Sequence, residues 1–172
     1  MTAFAKPLGD VVAAVLARDL ETLAREVELM PDDESLWKTL PGVTNSCGNL
    51  AAHCAGNLQY FVGAVLGSTG YVRDRPTEFG RRSGSRAELA AELRKTREVI
   101  TDVVPGLDEG ALDHEYPEAV GGARLSTRAM LLHLATHLGF HLGQADYLRR
   151  AMTGVTEPAG AVSPGELAAG LA

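Results

Sequence analysis

The chain has 172 residues, of which 45% are hydrophobic and 22% are charged, and its formal net charge is -6. These values are typical of a globular protein, and they argue against a largely disordered chain. Acidic residues outnumber basic ones and no long basic run occurs, so the composition argues against nucleic acid and anionic membranes as partners. The length fits a single domain.

The ends of the chain and its cysteines give few signals of their own. Residues Met1–Pro7 lack the charged and then apolar order of a secretory signal, and no apolar stretch is long enough to span a bilayer. The sequence therefore predicts a cytoplasmic protein. Cys47 and Cys54 lie about 10 Å apart along one predicted helix, too far for a disulfide, and we interpret them as small buried residues.

The apolar pattern predicts a first amphipathic helix over residues 10–30, which ends at Pro31. The following segment, residues 31–44, carries acidic residues and two prolines, so we expect a loop with one turn of helix. Trp37 lies within it and is expected to pack against the helices.

A second helix is predicted from Asn45 or Ser46, either of which can cap it, to about Leu66. Asn49, His53 and Asn57 recur in it at four-residue intervals and form one polar stripe. His53 can then point inward, with the two amides placed to orient its ring or a bound water. The alternative is a solvated face, which would suit the amides well.

Residues 70–82 are charged and contain Gly and Pro, and we predict a loop whose charges form a solvated surface, an internal salt-bridge cluster or a binding edge. A capping box at Ser85 opens a third helix, which ends before Pro105. The connection over residues 106–125 is long, and such connections are often functional or cover another element. His114, which lies in it, is predicted to be a surface residue.

The fourth predicted helix begins at Ser126 or Thr127, ends at Gly154, and carries three of the five histidines, at every fourth residue: His133, His137 and His141. Two imidazoles four residues apart can share one metal ion, but the third drifts too far along and around the helix. Buried histidines are also common as hydrogen-bonded core residues. Three at this spacing in an apolar segment favour a metal, with further ligands from another helix.

Together these elements predict an all-α protein, a four-helix bundle with a long connection before its last helix. We place the bundle at residues 1–154. Residues 155–172 form a C-terminal tail that is expected to be weakly ordered, with a short helix near residues 166–171.

Three segments of the chain together resemble the DinB-like superfamily, in particular its uncharacterised metal-binding bundles of the DUF1572/DUF664 type. They are Asn49–Leu58, the charged segment Arg73–Phe79, and His137–Gln144 with the pattern His-x-x-x-His-x-Gly-Gln. The likeness covers residues 10–153 at the level of architecture.

The resemblance implies a divalent metal site formed by His53, His137 and His141, with open positions for water or substrate. It implies zinc or nickel as the usual metal, a homodimer as the common assembly and, in some relatives, transfer or isomerisation with a low-molecular-weight thiol such as mycothiol or bacillithiol. His133 falls outside the ligand pair, either beside the metal ligands or as a hydrogen-bonded core histidine. Candidate pocket residues besides His133 are Asn49, Asn57, Gln144 and Tyr147.

Two functions remain open from the sequence. In the first, the metal activates a water or a thiol cosubstrate for reaction with a small molecule. In the second, it only clamps two helices of a stress-associated binding module. No Asp or Glu lies in the histidine stripes, although Glu115, Glu118 or Asp146 can approach from an edge. This absence weakens hydrolysis more than thiol transfer, because a metal-bound thiolate needs less help from a base.

Overall fold

The structure is a computed structural model that describes residues 6–172. Residues 1–5, which belong to the predicted bundle and to the segment that argued against a secretory signal, lie outside the described residues. The helices are α1 (Leu8–Glu28), α2 (Asp33–Leu36), α3 (Cys47–Leu58), α4 (Arg75–Gly80), α5 (Arg86–Val103), α6 (Glu109–Asp113), α7 (Thr127–Thr153) and α8 (Pro164–Gly170). A π-helix, Gln59–Ala64, continues α3, and a 3₁₀ turn, Val104–Gly106, follows α5.

The four long helices α1, α3, α5 and α7 form the bundle that the apolar pattern predicted. Helix α1 packs against α5 and α7, and α3 packs against α7 and α5. Within residues 6–172 the only β pairing is two isolated bridges, Glu115 with Ser126 and Val120 with Ala123. The all-α prediction is therefore confirmed. No helix in the described part of the chain is both long enough and apolar enough to cross a membrane.

Serine caps begin three of the long helices, as the sequence predicted. The Ser46 hydroxyl accepts a hydrogen bond from the Asn49 backbone amide, and the Asn49 side-chain Oδ1 accepts one from the Ser46 backbone amide, which forms a complete capping box. Ser85 and Ser126 cap α5 and α7 in the same position. Each cap satisfies backbone amides that would otherwise lack partners at a helix start.

The segment 70–82 was predicted to be a loop, and this prediction is wrong for its second half. Helix α4 forms there because the Asp74 side chain accepts from the Thr77 amide, while Pro76 lies in the first turn, where its missing amide is not needed. The one turn of helix predicted within residues 31–44 is confirmed as α2.

The long connection before α7 covers the end of α3. Tyr116 is buried, and its hydroxyl donates a hydrogen bond of 2.6 Å to the carbonyl of Phe61 within the π-helix. A π-helix shifts the backbone register by one residue, so a carbonyl there often needs a partner from outside. The connection thus stabilises the irregular end of the helix that carries His53. His114 is exposed, as predicted.

Trp37, Cys47 and Cys54 are buried, which confirms the predictions for all three. The indole of Trp37 lies against Gly48 at the start of α3, and its Nε1 donates to the Gly84 carbonyl at 2.8 Å. Both cysteines are free thiols.

The bundle is also tied together by charged groups. Arg149 on α7 forms an ion pair with Glu26 on α1, and both side chains are fully buried. Arg149 also donates to the Glu157 carbonyl at 2.8 Å, while Arg25 pairs with Glu166 on α8 at 2.7 Å. These contacts place residues after 154 against α1 and α7. The boundary at residue 154 stays a prediction.

Candidate metal centre

Three histidines from two helices converge between α3 and α7. His53 comes from α3, and His137 and His141 come from successive turns of α7. His137 Nε2 lies 3.3 Å from His53 Nε2 and 3.2 Å from His141 Nε2. Each of the three offers a ligand atom within 4.8 Å of the others. The group can therefore hold a metal ion.

The spacing of these nitrogens fits a transition metal. Two zinc–nitrogen bonds of about 2.05 Å at a tetrahedral angle place their nitrogens about 3.3 Å apart. The two measured separations, 3.3 and 3.2 Å, agree with that value. Neutral imidazoles with a proton on Nδ1 would turn three lone pairs toward one point, and a cation among them removes that repulsion.

The tautomer of His53 is set by a carboxylate on α4. Glu78 Oε2 lies 2.8 Å from His53 Nδ1, and Arg73 binds the same carboxylate through Nε at 2.7 Å and Nη2 at 2.9 Å. Burial alone would raise the pKa of Glu78, but the hydrogen bonds from His53 and Arg73 outweigh it and hold the pKa below its usual range. The ionised carboxylate accepts the Nδ1 proton, so His53 Nε2 is free to bind a metal.

On α7, His141 is held in a similar way. Gln144 Oε1, one turn along the helix, lies 2.7 Å from His141 Nδ1. Because this oxygen accepts a hydrogen bond from Nδ1, His141 Nε2 is left unprotonated and free to bind a metal. Burial and the neighbouring histidines lower the pKa of His137 to about 4. Burial also lowers the pKa of His141. Both imidazoles are therefore neutral near pH 7, as metal ligands must be.

Helix α4 reaches His53 because two residues of α3 allow it to approach. Gly56 faces the carboxylate of Glu78, with which any Cβ at that position would collide. The side-chain Nδ2 of Asn49 donates to the backbone carbonyls of Glu78 and Arg81, each at 3.0 Å. Asn49 was predicted to orient the ring of His53 or a bound water. The structure places it instead on the backbone of the segment that carries Glu78.

We expect Gly56→Ala to weaken metal binding, although Ala favours a helix over Gly by about 1 kcal/mol. The new methyl group would displace Glu78, which Arg73 holds on its other side, and His53 would lose its partner. Loss of such a partner typically costs about 10- to 100-fold in metal affinity. Titration against a chromogenic zinc chelator measures this change.

Gly143→Ala on α7 is the matched control, because a Cβ there meets no atom within 4 Å. This variant should keep its metal affinity and gain up to about 1 kcal/mol of stability. Equal metal affinity in the parent and in Gly56→Ala would contradict the role given to Glu78.

The remaining candidate residues, His133, Asn57 and Tyr147, differ in how deeply they are buried. His133 is exposed, so its interpretation as a core histidine is wrong; its ring centroid lies 6.0 Å from that of His137, without a hydrogen bond among the described contacts. Asn57 is buried, and its Oδ1 has no partner within the described residues. Tyr147 is 77% exposed.

The described residues place no acidic side chain and no thiol at the three Nε2 atoms. Asp146 pairs with Arg150 at 2.8 Å, Glu118 accepts from Tyr60 at 3.0 Å, and Glu115 pairs with Arg124. Burial raises the pKa of the Cys54 thiol far above its usual range, which disfavours the thiolate that a metal would need. A metal held here would therefore keep open positions.

Glu78 and Arg73 are the residues that sequence reasoning missed as parts of the site. Both lie in the charged segment that contributed to the family resemblance, but the spacing along the chain gave them no role. Both contact His53, from which Glu78 is 25 and Arg73 is 20 positions away along the chain. The available signal was an arginine and a glutamate five residues apart within one charged segment.

Comparison with known proteins identifies the family of this chain. The family model described as the DinB superfamily matches residues 16–145, which include all three converging histidines. No curated protein matches the chain. The match spans well over half of the sequence and contains the bundle helices α3, α5 and α7 in large part or entirely. The chain belongs to the DinB superfamily.

Proposed function

We propose that this protein is a divalent-metal-dependent enzyme that acts on a small molecule, as a transferase that joins a low-molecular-weight thiol to an electrophile. The observation that carries the proposal is the set of three converging imidazoles without an acidic or thiolate ligand among the described residues. Structural zinc sites are usually closed by four protein ligands, whereas catalytic sites keep one position open. Zinc or nickel is the metal that we propose.

Three neutral ligands leave the full charge of a bound divalent ion in place. Such an ion supplies Lewis acidity that lowers the pKa of a bound water or thiol. The protein's own task is to hold its ligands in one arrangement. Glu78 fixes the ring of His53, Gln144 fixes the ring of His141, and Arg73 keeps Glu78 ionised. These contacts reduce the rearrangement that the reaction requires.

Thiol transfer suits the site better than hydrolysis does. In the transfer, the thiol sulfur bonds to the electrophilic carbon, the leaving group departs with its bonding electrons, and the thiol proton passes to water. Hydrolysis would profit from a general base beside the attacking water. Asp146, Glu115 and Glu118, the edge carboxylates that the sequence offered, are each paired with other groups.

The test is a rate assay with the metal-loaded protein, a panel of low-molecular-weight thiols and electrophiles such as 1-chloro-2,4-dinitrobenzene. We expect turnover well above that of the free metal ion, and we expect His141→Ala to return it to the free-ion rate. The variant removes one of the three ligands together with the contact to Gln144. If no combination in the panel exceeds the free-ion rate, the transferase proposal fails.

A second function is favoured by the placement of the ligands on two helices. His53 and His137 are separated by 84 residues, so a shared metal would clamp α3 against α7. The protein would then be a metal-stabilised binding module without turnover. Such a module should melt at a substantially lower temperature after chelation, since a metal bound only to the folded state stabilises it. An unchanged melting temperature after verified metal removal would exclude this role.

We also propose a homodimer as the working assembly. Leu132 and Phe140 are 48% and 64% exposed on α7, about two turns apart along the helix and about 80° apart around it. Exposed apolar side chains on a helix are typical of helix pairing between subunits. Light scattering coupled to gel filtration measures the mass, and a monomer at micromolar concentration would contradict the proposal.

A further inference from the structure

A cavity of about 470 Å³ lies between α7, α3 and the loop before α3, one helical turn beyond the histidines. Its apolar walls are formed by Val43, Leu50, Leu148 and Ala151. The volume lies in the range of about 300–1,000 Å³ that is usual for small-molecule sites. We refer to it as the Leu50 cavity.

The Leu50 cavity continues the groove that contains the three histidines. On α7, His137, His141, Gln144, Leu148 and Ala151 follow one another at steps of four, three, four and three residues, and such steps keep to one face of a helix. On α3, Leu50 lies about one turn from His53, toward the start of the helix. The cavity and the metal centre are therefore neighbouring parts of one groove between α3 and α7.

The polar groups of the cavity are uncharged. Thr44, Asn45, Gln144 and Tyr147 contribute hydroxyl and amide groups, and no Asp, Glu, Lys or Arg is among the lining residues. Such a wall offers no partner of opposite charge to a phosphate, a carboxylate or an ammonium group. It favours an apolar group with one or two hydrogen-bonding atoms.

Gln144 belongs to both sites. Its side chain lines the cavity, and its Oε1 lies 2.7 Å from Nδ1 of His141. A group bound in the cavity is thus in reach of the residue that holds a histidine of the metal centre in position.

We propose that the Leu50 cavity binds the uncharged apolar part of the small-molecule electrophile, such as an aryl or branched alkyl group, and that Gln144 lies between this part and His141. The inference rests on the proposed transferase function for the identity of the ligand. Its assignment as a binding site for a neutral apolar group can be tested without turnover.

The test uses N-phenyl-1-naphthylamine, a neutral aromatic probe that fluoresces in apolar surroundings, with the full-length protein. Ala151→Trp fills the cavity from an exposed position on α7, and we expect it to weaken probe binding about tenfold, which corresponds to about 1.4 kcal/mol. Ala129→Trp is the matched control, because Ala129 is exposed on the same helix but does not line the cavity. It should bind the probe as the parent does.

A second measurement examines the connection to the histidines. In a histidine side-chain nitrogen NMR spectrum of metal-free protein, the probe should shift the His141 signal in the parent and not in Gln144→Ala. Probe binding should also persist in His137→Ala, since His137 does not line the cavity.

Three results would overturn the proposal. Equal probe affinity in Ala151→Trp and the parent would show that the cavity is not the site, whatever the thiol assay gives. A His141 signal that does not shift when the probe binds would show that the cavity is not in contact with the metal centre. Probe affinity that falls as the protein dimerises would assign the cavity to a second copy of the chain. Failure of the transferase proposal, by contrast, appears only as missing turnover and leaves the probe results intact.

Discussion

Replacing His137 with alanine is expected to reduce the bound metal from about one equivalent to almost none. The Nε2 of His137 is the atom that approaches both other ligands, at 3.3 and 3.2 Å. Its removal leaves two imidazoles without the third member of the set. Metal analysis by plasma mass spectrometry, on protein purified without a histidine tag, measures the change.

His133→Ala is the control for this experiment, because His133 lies one turn earlier on α7 and is exposed. It should keep the metal content of the parent. His53→Ala should lose the metal as His137→Ala does, since the site requires both helices. Metal retained in His137→Ala, or lost in His133→Ala, would contradict the assignment of the ligands.

The largest loss of stability is expected from Arg149→Met. The variant leaves Glu26 buried without its partner, and breaking a buried ion pair in this way costs about 3–5 kcal/mol. For a chain of this size the melting temperature should fall by on the order of 10 °C. Thermal and urea unfolding, followed by circular dichroism, measure the difference.

Two further variants make this result specific. Arg128→Met removes an arginine of α7 whose partners, Glu109 and Asp113, are exposed, and it should cost less than about 1 kcal/mol. The double variant Glu26→Leu with Arg149→Met should recover much of the lost stability, because it removes both charges of the pair and leaves neither one buried alone. If Arg128→Met and Arg149→Met are equally destabilising, burial of the ion pair is not the cause.

The fold was largely predictable because its signals are local. Serines at 46, 85 and 126 precede apolar residues at helical spacing, and each of them caps a helix in the structure. Helix α4 was missed because six residues are too few to show a period, and its cap at Asp74 lies within a run of charges. The π-helix was missed because the Tyr116 hydroxyl, which donates to the Phe61 carbonyl within it, comes from 55 residues farther along the chain.

The site was predictable only as far as helical spacing reaches. Four-residue steps indicated that an adjacent pair among His133, His137 and His141 can chelate a metal, the family resemblance selected His137 and His141, and the polar stripe of α3 drew attention to His53. The role of Glu78 depends on α4 lying against Gly56, a contact between distant parts of the chain that no periodicity encodes. The exposure of His133 follows from the 40° drift of each four-residue step, which turns it away from the bundle.

The two buried thiols have a consequence for the proposed reaction with electrophiles. Burial raises the pKa of Cys47 to about 12 and that of Cys54 further still, so almost no reactive thiolate is present near neutral pH. We expect the protein to resist alkylation by the reagents of the transfer assay and to keep its own sulfhydryls during turnover. A cysteine introduced at an exposed position such as Ala129 would then react alone, which makes α7 accessible to site-specific labelling on an otherwise unmodified chain.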